Sequence, residues 1–315
     1  MIANSPFVYC VYGLTLISDT KLTLPEARAG RGGASKIVRF ETTEAQNLPS
    51  ASDVTLDPDQ WFQQTVCGDG SVYMRWKDLF DFLITVDGAR VSCRNLSGCA
   101  FEFLEAYVMN YAVSSALIQQ GEETLHSTVV DIGGRAIGLL GASGAGKSTL
   151  ASFLRSRGGD IVTDDMLRIT IDEETALAHP GPHRLKLFQE PAGLFLPGAS
   201  TSGRWSPVGG KFIYDLGDPA QIRPARRLTA LFHLQAPRQP DDRRVVLERL
   251  TGLDRFQTIG GSTMNNALQT RARSERHFRF VNRLATMLPV FRLTYPRTFD
   301  AFDEVADNIH GSAPA

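Results

Sequence analysis

Residues 141–148 read GASGAGKS, a complete match to the phosphate-binding pattern G-x-x-x-x-G-K-[S/T]. The pattern works in one setting only, a strand that runs into a glycine-rich turn and opens a helix. The flanking residues supply that setting. An apolar run, Ala136–Leu140, precedes the loop, and Leu150, Phe153 and Leu154 follow at helical spacing. Glycines let backbone N–H groups turn inward around phosphate oxygens, and the helix adds its positive N-terminal end. The expected cradle is Gly141, Ala142, Ser143, Gly144, Ala145, Gly146, Lys147, Ser148 and Thr149, with Lys147 on the outer phosphates and Ser148 holding Mg²⁺. The competing interpretation is a glycine-rich turn without a ligand.

After the loop, the helix is predicted to be short, ending at Gly158-Gly159. A strand, Ile161–Thr163, then delivers Asp164 and Asp165. Asp165 lies only 18 residues after Lys147. Two carboxylates beside bound phosphate suit two tasks: one supports Mg²⁺, and the other accepts a proton from an attacking hydroxyl. The alternative is that the pair caps the next element.

A chain of 315 residues has room for two domains or one larger one. Its 43% hydrophobic and 21% charged residues are those of a soluble globular protein. A net charge of −1 argues against nucleic acid or anionic membrane as the main partner. No apolar run approaches the roughly 20 residues of a spanning helix. The opening MIANSPFVYCVYGL has neither a basic segment nor a cleavage site, so no secretory signal is expected and a cytoplasmic location is. Cys10, Cys67, Cys93 and Cys99 show no C-x-x-C spacing and are expected as reduced thiols.

Residues 1–100 are expected to form a β-rich domain. Phe7–Ile17, Lys21–Leu24, Val54–Leu56, Ser71–Trp76, Phe82–Val86 and Ala89–Cys93 are strand candidates, and Asp87-Gly88 marks a hairpin. Trp61 and Trp76 are expected in its core. Glu26–Ser35 is expected as a Gly/Ala/Arg-rich loop. Phe101–Gly121 then takes helical period and is expected to open a second domain, 101–315. In that domain Leu125–Asp131, a Gly133-Gly134 turn and Ala136–Leu140 form a hairpin into the loop. Further on, Leu228–Leu234 and Val290–Thr294 are predicted strands, and Ala267–Met287 and Phe299–Ile309 predicted helices. Ala199–Gly210 is expected to be a flexible, lid-like loop, with Arg204 and Lys211 as candidate charge clamps. Arg271, Arg273, Arg276 and Arg279 crowd the penultimate helix, where an exposed face competes with a role on transferred phosphate. The basic segment His183, Arg184 and Lys186 suits a phosphate or an acidic peptide terminus, or else a solvated edge strand.

The run LHSTVV…GLLGASGAGKSTLASFLRSRGGDIVTDD resembles the catalytic domain of HPr kinase/phosphorylase and its kinase-like relatives. The resemblance covers Leu125–Ile171 specifically and the rest of the chain more loosely. It implies an α/β fold, a β-rich N-terminal domain followed by a P-loop kinase domain of the HPr kinase/PEP carboxykinase-like type. It further implies ATP and Mg²⁺, Lys147 on phosphate, Ser148 with Asp164 at the metal, Asp165 as general base towards a serine hydroxyl, and His126 as a supporting residue. The Arg-Gly-rich segment with a metal-ligating Glu found in the bifunctional enzymes is not recognisable here. AHPGPHRLKLFQE stands in its place, with Glu190 a candidate second metal ligand and Arg184 and Lys186 candidate substrate contacts. The YGLTLISDTKLTLPEA opening and HPGPHRLKL look more like the HPr-kinase-like proteins of lasso peptide pathways, which phosphorylate a serine at or near the precursor's C-terminus. The expected function is therefore an ATP/Mg-dependent serine kinase acting on a lasso precursor peptide. A kinase of a small hydroxylated metabolite and a nucleotide-binding regulatory protein are the competitors. The family's bifunctional members form hexamers, and a homo-oligomer is possible here.

Overall fold

The computed structural model describes residues 6–27, 36–43, 48, 57–96, 98–204, 209–218, 221–239 and 241–312. The Val54–Leu56 strand, most of the Glu26–Ser35 loop and 205–208 of the proposed lid lie outside them. The chain is mixed α/β and divides into two compact units. The first is Met1–Glu123 with Asp218–Ile222 and Met264–Arg276, and the second holds the rest.

The first unit carries a seven-stranded sheet in the spatial order Phe7–Val11, Leu14–Ser18, Ile37–Thr42, Arg90–Asn95, Phe80–Ile84, Val72–Trp76, Phe62–Val66. The expected single strand Phe7–Ile17 is a hairpin, because Tyr12 and Gly13 both take positive φ (+53° and +65°), the two-residue turn that matches strand twist. Lys21–Leu24 is not a strand. Ile37–Thr42 and Phe62–Val66 were not expected from the sequence; the second is half-buried from Phe62 to Thr65, exposed at Val66, and lacks clean alternation.

The helix Phe101–Gln119, interrupted by one π turn at Val108–Ala112, belongs to this first unit rather than opening the second. The reason is aromatic burial. Trp76 meets Tyr107 and Tyr111 with ring centroids 5.1 Å away in each case, and Phe80 meets Phe103 at 5.8 Å. Trp61, by contrast, is exposed. Gly88, in the Asp87-Gly88 hairpin, sits at φ +66° directly against the helix, where an added Cβ would lie 2.2 Å from the Ala116 carbonyl oxygen. Gly88→Ala is therefore expected to lower the stability of the protein by about 2–4 kcal/mol, read by urea denaturation; a change below 0.5 kcal/mol, roughly the surface-mutation range, would show that turn and helix separate at no cost.

The second unit is built on a nine-stranded mixed sheet. Along one part of it the order is Asp160–Thr163, Thr128–Ile132, Arg135–Leu140, Arg226–Gln235, Val290–Thr294. Thr128–Ile132 runs antiparallel to both its neighbours, and the other four strands run parallel to one another. Their carboxyl ends therefore emerge at one edge, at Thr163, Leu140, Gln235 and Thr294. Alternation sends Ile137, Leu139 and Phe232 to one face, packed with Leu150, Phe153 and Phe302. Ala136, Leu140 and Leu231 face the other side with Ile259, Val281 and Leu284. A separate three-stranded sheet places Lys211–Asp215 between Arg184–Phe188 and Thr201–Arg204, antiparallel to both. The expected loop Ala199–Gly210 thus contains a strand. Among the described residues no helix is long and apolar enough to cross a membrane.

Candidate active site

The strand Arg135–Leu140 runs into the loop, and the helix Lys147–Ser156 leaves it. Three of the loop glycines hold positive φ: Gly141 at +141°, Gly144 at +81° and Gly146 at +89°. Only glycine adopts these angles without strain. Gly146 caps the helix with no side-chain cap hydrogen bond among the described residues, the arrangement in which a helix start can turn its first N–H groups to an anion. Lys147 is buried, and its ammonium donates to the carbonyls of Gly141 (2.8 Å) and Ala142 (3.2 Å).

The strand Asp160–Thr163 ends beside this loop and turns into Met166–Ile171 through Asp164 and Asp165, closed by Met166 N–H to Asp164 O (2.9 Å). The turn separates the two carboxylates. Asp164 is buried: its Oδ1 accepts from the hydroxyls of Thr128 (2.7 Å) and Ser148 (3.0 Å), and its Oδ2 from the Lys186 N–H (3.0 Å). Asp165 takes φ +67°, an unusual backbone for a non-glycine residue, and its carbonyl accepts the Ser127 N–H at 3.1 Å. Its carboxylate pairs with the Lys186 ammonium, and Oδ1 stands 3.9 Å from His126 Nε2. His126 is brought there by antiparallel pairing of its strand with Met166.

Cations crowd the cleft lined by His126, Ser143–Thr149, Asp165, Lys186 and Lys211. Burial lowers the Lys147 ammonium to about 8, with Asp164 opposing the fall and Lys211 adding to it. Lys186 is lowered to about 7, again chiefly by burial, with Asp164 opposing and Lys211 and Lys147 assisting. His126 is lowered to about 4 by burial and then by Lys147 and Lys186, so it is neutral at pH 7. Between about pH 8 and the unfolded lysine value of about 10.5, the unfolded chain binds more protons at Lys147 than the folded one, so stability rises with pH across that window. Denaturation midpoints are expected to be higher at pH 9 than at pH 7; a flat profile would mean that both buried ammoniums keep their ordinary values.

Not every residue singled out in the sequence reaches the cleft. Glu190 is exposed in the first turn of the helix Gln189–Phe195, and Arg184 pairs across strands with Asp215; neither lines the cleft. Arg204 lies over the Phe212 ring, 5.6 Å from its centroid. Arg273 is buried against Glu123 within the first unit (3.0 Å), which accounts for it structurally. Lys211 does line the cleft, 5.5 Å from the Phe188 ring centroid. Sequence reasoning missed Arg297, which does not line the cleft either but donates to the Ala145 carbonyl of the loop and to the Tyr295 hydroxyl (2.9 Å). The available signal was position: Arg297 follows a strand predicted correctly.

Among the described residues no cluster of three or more His, Cys, Asp or Glu gathers as a metal site. Mg²⁺ needs none, since it is commonly held by one or two carboxylates, bound phosphate and water. The hydroxyl of Ser148 on the buried Asp164 carboxylate is a hard-oxygen pair of that kind, at the helix end.

No protein-family model matches the chain. It is 30% identical over 139 residues to the HPr kinase/phosphorylase of Limosilactobacillus reuteri, 44% of this chain and 38% of that one. It is 41% identical over 71 residues to the HPr kinase/phosphorylase of Azoarcus sp., 22% and 23% of the two chains. With that of Aromatoleum aromaticum it shares 33% over 130 residues, 41% and 37%. Over these segments the chain is similar to HPr kinase/phosphorylases. It spans well under half the length of these curated relatives. The solved Hpr(Ser) kinase/phosphatase from Coxiella burnetii aligns over 60% of this chain and 94% of its own, at 11% identity and a TM-score of 0.31.

Proposed function

We propose that this HPr kinase-like protein is an ATP/Mg-dependent serine kinase acting in the cytoplasm, with a serine hydroxyl of a peptide as acceptor and the C-terminal serine of a lasso precursor as the specific target. The observation that carries the reading is the division of labour between adjacent carboxylates. Asp164 is hydrogen-bonded to Ser148 at the helix end, while Asp165 faces the cleft on Lys186. A protein that only bound nucleotide would have no use for the second.

The loop N–H groups and Lys147 bind the triphosphate and spread its charge. Ser148 and Asp164 would hold Mg²⁺, which when bound supplies further neutralisation of the transferred phosphoryl group. Asp165 accepts the serine proton on Oδ1 as the hydroxyl attacks in line. Lys186 fixes the orientation of that carboxylate through Oδ2. His126, neutral at pH 7, is a hydrogen-bonding neighbour to the acceptor oxygen rather than a charge. Lys211 at the rim suits an anionic group of either substrate. Positioning and electrostatics supply most of the rate.

The test is intact-mass spectrometry of a lasso precursor peptide incubated with the protein, ATP and Mg²⁺. Addition of one phosphate, mapped to the C-terminal serine, is expected. Phosphate appearing on free serine or a sugar while the peptide stays unmodified would move the acceptor to a small molecule; nucleotide binding without any acceptor would overturn the kinase reading.

A further inference from the structure

Arg297 is exposed, yet its guanidinium is held in place. It stacks on the Tyr295 ring, 4.7 Å from the centroid, and donates to the Tyr295 hydroxyl and to the carbonyl of Ala145. Tyr295 is itself buried, so the stack is anchored from below. Gly146 lets the guanidinium in close: a Cβ there would lie 3.0 Å from Arg297 Nη1 and 3.3 Å from the Tyr295 hydroxyl. A flexible, exposed side chain is thus pinned against the phosphate loop. One side of the guanidinium rests on Tyr295, and the residue as a whole is exposed.

Sheet order says which end of a nucleotide arrives there. Asp164 and Asp165 follow Thr163, two strands to one side of the phosphate-loop strand. Tyr295 and Arg297 follow Thr294, two strands to the other side, at the same edge of the sheet. Phosphoryl transfer requires the attacking and leaving oxygens on opposite sides of phosphorus. With the acceptor beside Asp165, the leaving nucleoside diphosphate must extend the other way, over the carboxyl ends of the strands that lead to Arg297. Loop carbonyls point away from the phosphate-facing N–H groups, so a guanidinium bonded to the Ala145 carbonyl stands behind the cradle rather than among the phosphates.

We propose that the Tyr295–Arg297 stack is the nucleobase platform of this site, with the base lying on the open face of the guanidinium. The inference rests on the kinase reading, which sets the direction of transfer. Guanidinium stacking on a flat aromatic base is favourable and tolerant of base identity.

The experiment compares Mg·ATP with Mg·tripolyphosphate as titrants in calorimetry, for the full chain, Arg297→Ala and Arg297→Lys, with melting temperatures confirming that each variant is folded. Tripolyphosphate offers the same phosphates without a base. Arg297→Ala is expected to weaken ATP binding roughly tenfold and leave tripolyphosphate binding unchanged. Arg297→Lys, which keeps the charge and a donor for Ala145 but loses the plane, is expected to lose ATP affinity in the same direction. Equal weakening of both titrants would make Arg297 a brace for the loop and overturn the platform, as would ATP binding unchanged in both variants. Wild-type protein that bound neither titrant would overturn the nucleotide reading itself, a failure visible before any variant is made.

Discussion

Asp165→Asn is expected to leave nucleotide binding in place and to lower the proposed phosphoryl transfer by about 10²–10⁴-fold, the range for loss of a positioned general base. The substitution is sharp because it changes little else. Asn tolerates positive φ as well as Asp does, so the backbone at +67° is kept, and the Ser127 N–H still finds the main-chain carbonyl. What disappears is the capacity to accept a proton and the charge that faces Lys186. The buried Lys186 ammonium, already lowered by burial, then loses its carboxylate partner and is pushed further towards the neutral amine. Two readouts separate the effects: calorimetric titration of ATP for binding, and intact mass of the peptide for transfer. Turnover within a few-fold of wild type would remove Asp165 from the base role.

Lys147→Ala is expected to weaken ATP binding and reduce turnover together, by about 10²–10³-fold, as for loss of one preorganised donor to the transition state. Its effect on stability is expected to run the opposite way. The fold carries the ammonium buried and lowered to about 8, so at pH 7 it bears a desolvation cost that alanine relieves. The variant should therefore melt at or above the wild-type temperature at pH 7, and part of the rise in stability with pH should vanish with it. A variant destabilised by several kcal/mol would mean that the bonds from Lys147 to the Gly141 and Ala142 carbonyls outweigh the burial cost.

Local chemistry made the centre of the site legible from the residues alone. The glycines at 141, 144 and 146, the lysine after them and the short path to Asp164 are all consequences of dihedral preference and spacing, which a linear chain carries in itself. The hairpin at Asp87-Gly88 and the strand Val290–Thr294 were legible for the same reason. The turn inside Phe7–Ile17 is not legible in the sequence, because Tyr12 is a poor advertisement for positive φ; only the pairing of the two strands compensates for it. The helix Phe101–Gln119 has an unmistakable period, but period says nothing about which core the helix joins. That was decided by Trp76 and Phe80, which lie on strands of the first unit.

The division follows from range. The sequence by itself determined the glycine-rich loop, the neighbouring carboxylates and the strand–turn–helix that presents them, because those depend on bonds and contacts within a few tens of residues. The tertiary structure alone decided that Lys186 would neutralise Asp165, that Glu190 and Arg184 would stay off the cleft, and that Arg297 would reach the loop from 152 residues away. Those outcomes depend on strand order in the sheet, a property of how the whole unit packs that no local window encodes.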